Sequence, residues 1–374
     1  MAEHSYGTHE NIVFRILSAI GIVCVVMGHL GCKLLGVDSW LPYYSFHMPL
    51  FSFISGYFYN EKYDREPLNW LLKKIKTVLV PFYFWAFIYL LIQTWLRHQF
   101  GVTLGLPFSI YNWIMAPWVK TQVVGFYIAT WYMLALFIEE VVYVLIRWMG
   151  KNCNNKRYED TILLCIFLIQ AVVIILVNKN IQEQWCKVWL RSFFLILFFH
   201  SGYFYRIYFN DNERKHLKLL LPVGLGIRTY LMIKYGNCEF DVWNCEFNYS
   251  WWIVLFMSYT GIIFWLSIAK WMVPIVSANG IVVFLGRHTR EIMTHHLFAY
   301  FMIKGIIGYT QRFFNLNSKF DFALYKKEIY YHYLPAGIQL LYVILTLLLV
   351  CAWIKMVKKG RNIISNYKGT LFNG

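Results

Sequence analysis

Apolar runs alternate with short polar and basic stretches along the whole chain. A helix that crosses a bilayer needs about 20 mostly apolar residues, and about ten segments approach that length. These segments are 12–35, 43–59, 78–96, 124–148, 161–177, 189–205, 217–233, 250–271, 292–308 and 334–357. The pattern therefore predicts an all-α integral membrane protein, a polytopic helical bundle of about ten transmembrane helices.

The composition supports this fold class. Hydrophobic residues make up 59% of the chain and charged residues 14%, whereas a soluble domain carries about 25% charged residues. The connections between the apolar segments are short for a second domain. We therefore expect residues 1–374 to form one membrane-embedded domain without a separate soluble domain.

The charge pattern concerns membrane topology. The formal net charge is +16, but the Lys and Arg residues lie mostly in short loops on the side that holds both termini. Cytoplasmic loops carry such an excess, so the pattern predicts cytoplasmic termini and no nucleic-acid partner. Two of the eight cysteines, Cys238 and Cys245, share a predicted loop, where a disulfide and two free thiols are both open alternatives.

His29 is the first ionisable residue that stands out inside an apolar segment. A charged group at the centre of a span costs about 2.5–3.5 kcal/mol, so it usually faces a cavity or a partner. At 100° per residue, Ser18 and Arg15 lie within about 40° of the His29 face. An imidazole can accept a proton from a hydroxyl nucleophile. A purely structural histidine, hydrogen-bonded to a neighbouring helix, is the alternative.

Two further segments place histidines at membrane depth. The stretch "FHMPLFSFISGYFY" contains His47 and Ser55, and His47 either lines a site or reaches towards interfacial water. The stretch "GRHTREIMTHHLF" contains His295 and His296, which point about 100° apart on a helix, so at most one would meet His29. The chain has no metal-ligand spacing such as HExxH, and we expect no metal.

Acidic residues also lie within an apolar segment. Glu139 and Glu140 stand in "WYMLALFIEEVVYVLIRW", either as a polar cavity wall or, for Glu140, as an ion pair with Arg147. A separate feature is the similarity between "SFISGYFYNEKY" and "LFFHSGYFYRIYF". This is either a weak internal repeat, as transporters have, or two helix ends with similar interface chemistry.

Four segments resemble acyltransferase family 3, in particular its fucose 4-O-acetylase-like branch. They are "AIGIVCVVMGH", "FHMPLFSFISGYFY", "WYMLALF" and "LGRHTREIMTHHLF". The resemblance implies a bacterial plasma-membrane enzyme with about ten spans and a cytosolic acyl-CoA donor, most simply acetyl-CoA. The acceptor would be a hydroxyl of a cell-surface carbohydrate or its lipid-linked precursor.

The resemblance also assigns roles. His29 would be the general base, and Ser55 or His296 would donate to the oxyanion. Where many members have Arg residues, this chain has Ser18 and the lysines Lys73, Lys74 and Lys76, and Arg15 lies one turn before Ser18. Lysine binds phosphate as a point charge rather than a bidentate fork. The expected substrate-binding residues are His47, Trp131, Glu139 and Glu140.

Two rival functions stay open. One is a transporter or flippase for polysaccharide or lipid-linked sugar, in which His29 and the two glutamates line a path. The other is a non-catalytic scaffold, which predicts no dependence on His29. Expected partners are acyl-CoA, the sugar acceptor and membrane lipids, with a homo-oligomer or a polysaccharide-synthesis complex as the candidate assembly.

Overall fold

A computed structural model describes residues 11–29, 40–120, 124–150, 155–209, 213–314, 320–331 and 339–372. Within these ranges, side chains of 213–220 and 361–372 are left aside. The described residues contain helices and no β-strand, apart from one isolated bridge between Asp241 and Glu246. The all-α prediction is confirmed.

The helices are labelled in chain order. They are α1 Ile12–His29, α2 His47–Tyr57, α3 Pro67–Lys74, α4 Val80–Phe100, α5 Ala116–Val119, α6 Trp131–Gly150, α7 Lys156–Val177, α8 Gln184–Tyr208, α9 Glu213–Tyr235, α10 Trp251–Met272, α11 Ile281–Arg287, α12 Thr289–Phe313, α13 Phe322–Lys327 and α14 Gln339–Phe372. A π-helical turn, Ile75–Leu79, joins α3 to α4.

Six helical segments of the described residues are long and apolar enough to cross a membrane. They are Ile12–His29, Pro67–Phe100, Gly125–Gly150, Lys156–Asn180, Trp251–Ile275 and Gln339–Gly360. These segments make the chain a polytopic membrane protein by length and composition.

The other four predicted spans also form helices, but each departs from a simple span. Helix α2 has 11 residues and extends about 16 Å, roughly half of a 30 Å hydrocarbon core. Helices α8 and α12 carry charged residues, and α9 contains Pro222. The count of ten spans stays a prediction.

The two similar sequence segments pack directly against each other. Helix α2 makes its most extensive contact with α8. A Cβ atom on Gly56 would overlap the carbonyl oxygen of Phe199, and one on Gly202 would overlap that of Phe53. Each Ser-Gly segment therefore supplies the glycine that lets the partner backbone approach closely. This reciprocal contact gives the similarity a packing reason.

Helix α1 lies at the centre of the bundle. It packs against α2, α10, α11 and α12. A Cβ atom on Gly286 of α11 would overlap the carbonyl oxygen of Arg15, so only glycine permits this approach. The central position of α1 places its two ends in two different cavities.

Candidate active site

Two cavities lie towards opposite ends of α1. The His29 cavity has a volume of about 390 Å³, and the Arg15 cavity about 560 Å³. Helix α1 lines the first with Val25 and His29, and the second with Phe14, Arg15 and Ser18. Ser18 and His29 are about 16 Å apart along the helix. The face of α1 that was predicted to hold Arg15, Ser18 and His29 together is therefore divided between two cavities.

Two aromatic rings flank the His29 side chain. The ring of Tyr330 is parallel to it, with an interplanar angle of 9° and centroids 5.6 Å apart. The ring of His296 lies on α12 with its centroid 5.4 Å from that of His29. His29 is half-buried and lines the cavity. The structure thus brings the two predicted histidines together.

Main-chain contacts determine the tautomers of the two neighbouring histidines. The Nδ1 atom of His47 lies 2.5 Å from the carbonyl oxygen of Tyr43. The Nδ1 atom of His296 lies 2.9 Å from the carbonyl oxygen of Ile292. A carbonyl accepts only, so in both neutral rings Nδ1 carries the proton and Nε2 has a lone pair. His296 is fully buried and its Nε2 has no described hydrogen-bond partner.

Lys304 fixes the turn that carries Tyr330. Its Nζ atom donates to the carbonyl oxygens of Ile329 at 2.8 Å and Tyr331 at 3.2 Å, on both sides of Tyr330. Burial, followed by the neighbouring Tyr44 and Asp241, raises the pKa of the Tyr330 phenol above its ordinary value. The hydroxyl therefore stays protonated at neutral pH and can donate a hydrogen bond.

Tryptophans and carboxylates form the rim of the His29 cavity. Trp131, Trp243, Glu239 and Asp241 line it together with His47. The guanidinium of the buried Arg191 lies 4.8 Å from the centroid of the Trp131 ring and donates to the Trp243 carbonyl oxygen at 3.3 Å. Arg191 therefore contacts the Trp131 indole and the main chain of Trp243. The loop that carries Asp241 and Trp243 forms a tight turn, since Asp241 Oδ1 accepts hydrogen bonds from the main-chain amides of Trp243 and Asn244. Two of the expected substrate residues, His47 and Trp131, lie in this cavity.

The cysteines of this loop are free thiols in the structure. Cys238 and Cys245 both have positive φ angles, 43° and 53°. The Cys245 Sγ atom lies 3.5 Å from the carbonyl oxygen of Lys187, on α8. Of the two alternatives for this pair, the structure has the free thiols.

The three lysines predicted to bind the donor differ in their partners and in whether they line the Arg15 cavity. Lys73 Nζ donates to the Tyr63 hydroxyl at 3.0 Å, and this contact lowers the pKa of the Tyr63 phenol. Lys74 instead forms an ion pair with Glu140, with Nζ and Oε2 2.6 Å apart. Lys76 is exposed and does not line the cavity. Lys73 therefore brings a cation to the cavity without a described carboxylate partner.

Arg290 is a cavity residue that the sequence pattern did not single out. It lines the Arg15 cavity from the start of α12, with Nη1 donating to the carbonyl oxygen of Thr77 at 2.9 Å. Arg15 reaches the same wall, 3.5 Å from the carbonyl oxygen of Gly286. The sequence feature that could have identified Arg290 is its position directly after the family-like Gly-x-x-Thr segment. Arg15, Lys73 and Arg290 give this cavity the cationic lining that a phosphate-bearing ligand needs.

The remaining predicted residues have mostly local partners. Ser18 lines the Arg15 cavity and donates to the carbonyl oxygen of Phe14 at 2.7 Å. Ser55 lines that same cavity, not the one that contains His29. Glu139 is fully buried, accepts from Ser52 at 2.7 Å and lines neither cavity. Glu140 lines the Arg15 cavity.

Arg147 belongs to a separate ionic cluster. It contacts Asp64 at 3.2 Å, Glu159 at 3.2 Å and Asp160, and donates to the Tyr203 hydroxyl at 3.3 Å. Burial raises the pKa of the Asp64 carboxyl above its ordinary value. The alternative of a Glu140–Arg147 pair is wrong, because each side chain has other partners of opposite charge.

The side chains that line the two cavities determine which chemistry they can support. The described residues contain no group of three or more His, Cys, Asp or Glu side chains that could hold a metal ion. The two cavities offer imidazoles, a protonated phenol and cations instead. Such groups can accept a proton, stabilise an oxyanion and bind an anionic ligand.

Comparison with protein families gives one result that covers most of the chain. The family model described as an acyltransferase domain, Acyl_transf_3, matches residues 14–355. The match includes both cavities and every helix that lines them. Comparison with curated proteins and with solved structures gives no match.

Proposed function

The chain belongs to acyltransferase family 3 and is a membrane acyltransferase, and we propose that it moves an acyl group from acyl-CoA to a carbohydrate hydroxyl. The donor is acetyl-CoA in its simplest form. The acceptor is a cell-surface carbohydrate or its lipid-linked precursor. One observation carries the proposal, the separation of a cation-lined cavity from an imidazole-lined cavity along α1.

The Arg15 cavity is the proposed donor site. Acyl-CoA carries several phosphate groups, and charge-assisted hydrogen bonds to Lys and Arg are the strong contacts for such groups. Arg15, Lys73 and Arg290 lie on three different helical segments around this cavity. In a bacterial plasma membrane with cytoplasmic termini, this end of α1 faces the cytosol, where acyl-CoA is present.

The His29 cavity is the proposed acceptor site. Trp131 and Trp243 present aromatic faces, and the carboxylates of Glu239 and Asp241 are hydrogen-bond acceptors. Sugars carry apolar ring faces and hydroxyl donors, which suit both kinds of residue. His47, whose Nε2 has a lone pair in the neutral ring, completes a lining that would orient one hydroxyl towards His29.

In the reaction, a ring nitrogen of His29 accepts the proton of the sugar hydroxyl. The hydroxyl oxygen attacks the thioester carbonyl carbon, the carbon–sulfur bond breaks, and the leaving thiolate takes the proton back from His29. The products are an ester and free CoA. Tyr330 is the proposed oxyanion donor, because its phenol is protonated, lines the cavity and stacks on His29.

The assignment of Tyr330 replaces Ser55 and His296, the two oxyanion donors expected from sequence. Ser55 lies in the Arg15 cavity. A neutral His296 has no proton on Nε2 to give, since Nδ1 donates to the main chain. His296 would instead limit the ring positions of His29.

The donor site is tested by charge removal at one lysine. We expect Lys73→Ala to raise the KM for acetyl-CoA about 10-fold, because a hydrogen bond to a charged group contributes about 1.5–3 kcal/mol. Turnover at saturating donor should change little, since Lys73 and His29 line different cavities. The measurement is CoA release by purified protein over a range of acetyl-CoA concentrations.

Lys76→Ala is the matched control. Lys76 lies on the neighbouring π-helical turn, is exposed and does not line the cavity. Equal KM values for both variants and for the wild type would contradict the donor site. A higher KM for Lys73→Ala alone would support it.

A further inference from the structure

The two cavities are separated by a thin partition of side chains. On α2, Met48 lines the His29 cavity, whereas Phe51, one turn later, lines the Arg15 cavity. On α6, Trp131 lines the first cavity and the adjacent Tyr132 the second. Along α1, the partition lies between Ser18 and Val25, which are about 10 Å apart.

Phe51 and Tyr132 close this partition in the structure. Their ring centroids are 5.9 Å apart with an interplanar angle of 45°. The two side chains are 7% and 4% exposed, so both rings are packed into the bundle at this level. An object that moves between the cavities at this level must displace one of them.

The third side of the partition is a glycine. A Cβ atom on Gly21 of α1 would lie 2.9 Å from Cζ and 3.2 Å from Cε2 of Phe51. The Phe51 ring therefore occupies the space that any other residue at position 21 would fill. Because proteins pack densely, the width of the passage depends on where this ring lies.

We propose that Phe51, set between Gly21 and Tyr132, is the gate through which the thioester arm passes, and that its ring limits the acyl group to about the size of acetyl. This inference rests on the proposed function, since only a donor bound in the Arg15 cavity has to reach His29 through the partition. The aromatic lining admits a slim uncharged arm and excludes the charged phosphates. Each added methylene of a longer acyl group competes with the Phe51 ring for the same volume.

The test uses purified protein with acetyl-CoA, propionyl-CoA and butyryl-CoA as donors. Transfer is followed as CoA release and as acyl ester formed on a panel of methyl hexosides. One methylene in a fitted pocket changes specificity about 10-fold or more. We expect Phe51→Ala to raise the butyryl-to-acetyl ratio of kcat/KM by at least about 10-fold. Phe84→Ala, which removes an exposed ring from α4, should leave the ratio unchanged.

A second pair of variants tests the gate from the side of α1. Gly21→Ala puts a methyl group against Phe51, so we expect turnover with acetyl-CoA to fall while its KM stays the same. Gly21→Ala combined with Phe51→Ala removes the clash and should recover turnover. A Gly21→Ala protein that fails to fold would leave this double variant and Phe51→Ala as the test.

The outcomes separate this inference from the function on which it rests. Transfer by wild type and by Phe51→Ala with equal donor ratios would overturn the gate and leave the acyltransferase intact. No CoA release by wild type from any of the three donors would overturn both. A shifted ratio for Phe51→Ala and not for Phe84→Ala supports the gate.

Discussion

Replacement of His29 by alanine is expected to reduce acyl transfer by at least about 100-fold, because a positioned general base contributes about 10²- to 10⁴-fold to rate. The side chain lines the His29 cavity between Tyr330 and His296. Without it, the sugar hydroxyl keeps its proton and is a poor nucleophile. Label from acetyl-CoA should then stop entering the methyl hexosides.

Donor binding separates this result from misfolding. The Arg15 cavity lies at the other end of α1, so the His29→Ala protein should bind acetyl-CoA as tightly as the wild type. His98→Ala is the control, because His98 is an exposed histidine at the end of α4. Turnover of His29→Ala within about a factor of ten of the wild type would exclude His29 as the base.

Loss of Arg147 is expected to be the largest single effect on stability. One guanidinium faces three carboxylates, and Asp160 is fully buried. Arg147→Met keeps an unbranched chain of similar length up to the guanidinium, removes the charge and leaves the three carboxylates without this cation. Removing one partner of a buried ion pair costs about 3–5 kcal/mol. The midpoint of thermal unfolding in detergent should therefore fall.

A double variant shows whether the uncompensated charge is the cause. Arg147→Met with Asp160→Asn removes the most buried carboxylate as well, so part of the lost stability should return. Arg157→Met is the control, since Arg157 is an exposed arginine on α7. Equal unfolding midpoints for Arg147→Met and Arg157→Met would show that the cluster contributes little.

The sequence was informative about helices and about the residues on each of them. A run of apolar residues identifies a buried or lipid-facing helix by itself, so the all-α class and the exceptional position of His29 could be predicted. The short α2 was harder, because hydropathy does not distinguish a crossing helix from one that ends inside the bundle. Its 11 residues make their most extensive contact with α8, a partner distant in sequence.

The sequence could not show how the predicted residues divide between cavities. Arg15, Ser18 and His29 share one face of α1. Helical periodicity identifies such a face, but it does not show which other helices or cavities lie against it at each point along the helix. The difference between Lys73 and Lys74 depends on Glu140, a partner distant in sequence. Tyr330 belongs to a turn, where no periodic pattern marks a side chain as functional.

The transporter hypothesis loses one of its two sequence arguments. The similarity of the two Ser-Gly segments follows from reciprocal contact between α2 and α8 through Gly56 and Gly202. Two cavities separated by a partition still fit a transport path. The transporter and scaffold hypotheses therefore differ from the acyltransferase in chemistry, because neither a transporter nor a scaffold releases CoA.

The most direct test of the central claim places donor and acceptor on opposite sides of a membrane. The protein is reconstituted into liposomes with methyl hexosides trapped inside, and labelled acetyl-CoA is added outside. We predict that labelled ester accumulates in the lumen with wild-type protein and not with His29→Ala, because the two cavities lie at opposite ends of α1. Ester formed only when donor and acceptor share one compartment, or no release of CoA in either arrangement, would contradict the account.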